Sequence, residues 1–146
     1  MAPHEAYIAF LGQLSETLDQ LTAVEKEKTD AVRRDDLTAL NECMKREQAM
    51  SLTLRSMDQK RMKLLKELGM ETVTLANFSA SCPEELRPEA RAATEKLRNS
   101  YAIYRSAADL SRHTLERNLR QIDAYLSEKS GGEPPVEDRG VRDVRI

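Results

Sequence analysis

The sequence predicts an all-α chain: an elongated antiparallel helical hairpin, then a long third helix completing a three-helix, coiled-coil-like bundle, then a disordered C-terminal tail. Three observations lead there. The first is where the breakers fall. Five of the 146 residues are Gly and five are Pro, yet none lies between Gln13 and Leu68 or between Glu89 and Ser130. Gly and Pro punctuate turns and bulges, so two such blocks exclude sandwiches, barrels and doubly wound sheets, and leave no glycine-rich phosphate loop. The second is composition: 33% of residues are charged, 40% are hydrophobic, 4% are aromatic, Trp is absent and the mean hydropathy is −0.62. Charge-rich, aromatic-poor chains of this kind form long helices over narrow cores. The third is spacing. Tyr7, Leu11, Leu14, Leu18 and Leu21 recur at intervals of 4, 3, 4 and 3 residues, which is a heptad seam.

The first helix is expected over 3–34. Pro3 suits a first turn, where its missing N–H would have no partner anyway. Ile8, Phe10 and Val24 widen the seam, which weakens through Glu25-Lys26-Glu27-Lys28 and resumes at Ala31 and Val32. At Arg33-Arg34-Asp35-Asp36 two arginines suit a helix C-terminus and an aspartate suits the next N-cap, so a tight reversal is expected. The alternative is one continuous helix to Leu68. That rod would be roughly 100 Å long and could not bury its own seam.

The second helix is expected over 36–68, with Leu40, Met44, Met50, Leu54, Met57 and Leu64 on or beside one stripe and Gly69 as its C-cap. Residues 1–32 hold six acids and two lysines, whereas Arg55 to Lys66 holds five basic residues and one acid. An antiparallel hairpin is expected to lay these beside each other. Exposed pairs contribute only ~0.2–1 kcal/mol each, so they would favour a register more than stabilise the fold. A polar connector follows, in which Val73, Leu75 and Phe78 form a short helix or an extended cover over one bundle end. The third helix is expected over 84–128, with Leu97, Tyr101, Tyr104, Ala108, Ser111, Leu115, Leu119, Ile122 and Leu126 at helical spacing. Residues 1–129 then make one helical domain and 130–146 a flexible tail.

A net charge of −2 implies no global attraction to nucleic acid or to an anionic membrane. The basic run from Arg55 carries no interleaved aromatic residue and is read as a solvated face, so no nucleic-acid partner is expected. No apolar run approaches ~18 residues and the N-terminus has no basic stretch, so neither a membrane span nor a secretory signal is expected and the protein is placed in the cytoplasm. Cys43 and Cys82 lack metal or redox spacing and read as small reduced residues. His113 is the one histidine in a helix interior, His4 lying in the first turn of the first helix, and a carboxylate-bridged metal centre on a bundle needs Glu-x-x-His motifs on two helices. No Ser or Cys has a base positioned by motif. No catalytic residue, metal or cofactor is expected, and the chain is not read as an enzyme.

The third helix is the most suggestive element. Its second half extends beyond the hairpin or packs on it only in part. Leu115, Leu119, Ile122, Tyr125 and Leu126 are therefore the candidate docking face for another amphipathic helix. Ordinary core packing or homodimerisation of this helix, or a structural coiled-coil module that only forms a homo-oligomer, is the competing reading.

With these residues in view, the chain resembles the flagellar export chaperones of the FlgN type over about Tyr7 to Leu126. The likeness is carried by Lys28-Thr29-Asp30-Ala31-Val32-Arg33-Arg34-Asp35-Asp36-Leu37 at the break between the first helices, by Leu54-Arg55-Ser56-Met57-Asp58-Gln59-Lys60-Arg61 in the second, and by Glu116-Arg117-Asn118-Leu119 through Ile122 in the third. Arg34 stands where relatives carry Gly. The resemblance implies a small cytoplasmic chaperone without ATPase activity. Its partners would be the C-terminal helices of hook-associated proteins, kept from premature assembly, and the flagellar export apparatus.

Overall fold

The computed structural model describes residues 2–129, so the tail read at 130–146 lies outside the described residues. Four α-helices follow one another: α1 (Pro3–Arg33), α2 (Leu37–Glu67), α3 (Leu75–Ser81) and α4 (Arg87–Lys129), with a single 3₁₀ turn at Glu84–Leu86 leading into α4. The described residues contain no strand. The chain is all-α, as its spacing and breakers require.

The reversal after α1 is built without glycine. The Asp36 N–H donates to the Ala31 carbonyl at 2.9 Å and the Asp35 N–H to the Val32 carbonyl at 3.1 Å. This is the Schellman pair of bonds that satisfies the last carbonyls of a helix. It needs a left-handed residue, which is Asp35 at φ 54°, while Arg34 keeps a right-handed φ of −92°. The glycine-like position is thus Asp35 rather than Arg34. Asp36 then caps α2, its carboxylate accepting from the Ala39 N–H at 3.0 Å. The same pair of bonds closes α2 around Gly69 at φ 68°, with Met70 N–H to the Leu65 carbonyl at 2.9 Å and Gly69 N–H to the Lys66 carbonyl at 3.0 Å. The connector forms a short helix, α3, as one of its two expected readings had it. Phe78 is buried there edge-on to Tyr7, with ring centroids 4.7 Å apart.

α1 is the central element. Of its seam residues Tyr7, Leu11, Leu18 and Leu21 are buried, as is the flanking Phe10, and Leu14 is half-buried. α2 returns antiparallel along one flank, and α4 lies along another. Leu97 belongs to the core cluster around Tyr7 and Leu11, while Asn118 Nδ2 donates to Asp35 Oδ1 at 3.4 Å, so α4 runs parallel to α1. α2 and α4 pack chiefly on α1 and scarcely on each other. Two consequences follow. A groove stays open between α2 and α4, floored by α1 and closed at one end by α3. And α4, at 43 residues, continues for ~17 Å past Asn118 at 1.5 Å per residue.

One expectation holds only in part: the basic stretch lies beside α1, with Thr17 Oγ1 3.5 Å from Met57 Sδ, but without the charge pairing. The basic stretch from Arg55 to Lys66 makes no ion pair with α1 among the described residues. The α1–α2 pairs are Lys28–Glu47 and Glu27–Arg46, both nearer the turn. The physical reason is register: the basic stretch lies opposite the first half of α1, where the only acids are the exposed Glu5 and Glu16. Lys60 instead sits 5.8 Å above the Phe10 ring.

Candidate functional site

Two surfaces and one buried layer stand out. The first surface is the far end of α4. Leu115 and Leu119 are half-buried at the end of the hairpin, whereas Ile122, Tyr125 and Leu126 are 46%, 59% and 56% exposed. The five residues singled out from the sequence thus fall on one helix but in two environments, a packed pair and an uncovered trio. Lys129 Nζ lies 5.6 Å over the Tyr125 ring, which holds that side chain against its own helix.

The second surface is the groove between α2 and α4, of about 730 Å³. Tyr7, Leu11, Leu14 and Leu18 make its floor, Leu54 and Met57 one wall, Leu97 and Tyr101 the other, and Phe78 its closed end. It stays open because α2 is shallowly seated: only Cys43, Glu47 and Leu65 are buried among its 31 residues. Of the α2 methionines, Met57 stands in the groove wall, while Met50 packs half-buried against the core. The charged lining residues are Arg55, Asp58, Arg61 and Arg98. Asp58 is engaged by Arg61 at 3.2 Å, and neither Arg55 nor Arg98 has an acidic partner among the described residues. At the bottom, the Arg61 guanidinium faces Tyr7, whose hydroxyl is pushed up by burial against the opposing pull of that cation.

Between these surfaces the three long helices meet in a polar layer. Lys28 Nζ on α1 donates to Glu47 Oε2 on α2 at 3.0 Å, and both side chains are buried. Glu25, one turn earlier on α1, is 0% exposed. Neither of its carboxylate oxygens, nor the Tyr104 hydroxyl or Ser111 hydroxyl of α4, has a hydrogen-bond partner among the described residues. Burial, then the neighbouring Glu47, push the Glu25 carboxyl up to about 8, against a weaker pull from Lys28. Burial and the charges of Glu25 and Glu47 push the Tyr104 hydroxyl up as well. The layer holds two acids and one base, and it is neutral when Glu25 keeps its proton.

These three residues were not singled out in the sequence, although a signal was there. Carrying the α1 seam forward at its own spacing gives Leu18, Leu21, Glu25, Lys28 and Val32, and on α2 Glu47 lies between Cys43 and Met50 on the inner stripe. A charged residue at a seam position is a buried-pair signal, whereas a run of alternating charge reads as a solvated face. The groove left no such signal, because it depends on how far apart two helices sit.

His113 is exposed, with Nδ1 at 3.9 Å from Glu116 Oε2. No group of three His, Cys, Asp or Glu residues able to hold a metal ion occurs among the described residues. Cys43 and Cys82 are both buried and unbridged, and burial pushes the Cys82 thiol up. No helix among the described residues is long and apolar enough to cross a membrane.

In comparison with known families, the chain matches the model described as FlgN protein over residues 2–131. No curated protein and no solved structure matches it significantly.

Proposed function

Because this chain belongs to the FlgN family, a family of flagellar export chaperones, we propose that it binds the C-terminal amphipathic helices of hook-associated proteins in the cytoplasm, prevents their premature assembly and delivers them to the export apparatus. The cargo face is the last stretch of α4, with Leu115 and Leu119 anchoring the stripe and Ile122, Tyr125 and Leu126 meeting the cargo helix. The observation that supports this is the overhang: α4 runs past the reversal at Asp35 with three large apolar side chains exposed. An amphipathic helix laid on such a stripe buries apolar area on both partners, at roughly 25 cal/mol per Å². The role asks for no cofactor and no catalytic group.

The test is a pull-down of C-terminal fragments of hook-associated proteins by the full chain and by a Leu119→Asp, Ile122→Asp double variant. A folded double variant that loses the fragments supports this face, and one that retains them removes it.

A further inference from the structure

The groove between α2 and α4 is distant from the end of α4 and differs from it in charge. Its floor spans Tyr7 to Leu18, about 16 Å at 1.5 Å per residue. That length takes two to three turns of a helix, enough for anchors at i, i+3, i+4 and i+7. Its lining is aliphatic, aromatic and thioether, and the thioether of Met57 adapts to the shape of what it meets. Its rim is basic. Arg55 on α2 and Arg98 on α4 stand on opposite walls with no acid opposite either of them, and the one lining acid, Asp58, is already paired to Arg61.

We infer that this groove docks a short amphipathic helix of a partner protein whose flanks are acidic. The apolar stripe of that helix would lie on Leu14, Leu54, Met57 and Tyr101, and its flanking carboxylates would meet Arg55 and Arg98. A second copy of this chain does not fit. Its acid-rich helix, α1, has its apolar seam buried inside its own fold. Its exposed α4 end carries as many bases (Arg117, Arg120, Lys129) as acids (Glu116, Asp123, Glu128) between 115 and 129, so it brings no complementary charge. The inference does not rest on the cargo face at the end of α4, and the two are separable by mutation.

The test is a selection of 14-residue amphipathic helical peptides, with flanking positions randomised among Glu, Lys and Gln, against the full chain. The enriched peptides should be acidic at their flanks. They should weaken at least tenfold on Arg55→Glu combined with Arg98→Glu, and again on Leu54→Asp, while Ile122→Asp combined with Leu126→Asp leaves them unchanged. All five sites are exposed or half-buried, and circular dichroism verifies that each variant is folded. The ε-methyl NMR signal of Met57 should shift on binding and that of the outward Met62 should not. The inference is overturned by an enriched set without charge bias, by no enrichment at all, by binding indifferent to the arginine reversals, or by a dimer of the chain that Leu54→Asp dissolves.

Discussion

Asp35 performs a task usually given to glycine. A left-handed backbone costs an ordinary L-residue roughly 1–2 kcal/mol, somewhat less for an aspartate. Asp35→Gly should therefore stabilise the chain by about 0.5–1 kcal/mol, read as a rise of several degrees in Tm. Asp35→Val should lower it. The side-chain bond that glycine would lose, to Asn118, is long at 3.4 Å and exposed, so it does not reverse the sign. Glu25 is the other residue whose chemistry is set by place. Between the ordinary glutamate value of 4.5 and about 8, the folded chain keeps a proton there that the unfolded chain has released. Stability should therefore fall as pH rises through that window, by at most ~1.4 kcal/mol per pH unit, and level off above it. Urea midpoints at pH 5.5 and 8.5 measure the slope, and Glu25→Gln should flatten it.

At the scale of the element, α2 is held at its two ends, by the buried Lys28–Glu47 pair near the turn and by Leu65 before Gly69. Removing one member of a buried pair strands the other, typically at ~3–5 kcal/mol. Lys28→Met leaves two buried carboxyls without a cation, so it should cost about that much at pH 8, read as a lowered urea midpoint. Glu47→Gln should be milder, because Glu25 is then released from its like-charged neighbour and can serve Lys28. The pH slope should shrink in that variant too. Gly69 gives a cleaner measurement. A Cβ built there meets nothing within 4 Å, yet φ is +68°, so Gly69→Ala should cost ~1–2 kcal/mol for conformation alone. Of these features, the cap at Gly69 was legible in the sequence because a glycine marks it. The reversal at Asp35 was legible only through capping and charge logic. The placement of the basic stretch beside α1 followed from the hairpin, but the ion pairing did not, because charge totals over a stretch say nothing of which acids lie opposite which bases.

For the whole molecule, the helices differ in how deeply they are seated, and opening free energies should follow. Hydrogen exchange should be slowest in α1, which is covered on two flanks. It should be faster in the middle of α2, with its single supporting neighbour, and fastest over the last turns of α4. Equal protection of α2 and α1 would contradict this arrangement. The helix content and the hairpin were readable because 3.6-residue periodicity is a property of one segment. The parallel alignment of α1 and α4, the groove and the burial of Glu25 were not, since each depends on how separate segments are placed. The uncovered end of α4 lies between these cases: its stripe was visible in the sequence, but where the hairpin stops beneath it was not.

The parallel alignment also sets an order of assembly. Contacts between α1 and α2 close a short loop, whereas those between α1 and α4 join residues as far apart as Asp35 and Asn118, and contacts distant in sequence form late. As the chain leaves the ribosome the hairpin can pair long before α4 exists, and α1 must wait with one flank bare. The concluding event of this protein's own folding is then the capture of a long amphipathic helix on a waiting apolar surface. A fold completed in that way has, within itself, already carried out the kind of recognition its surfaces are suited to offer to others.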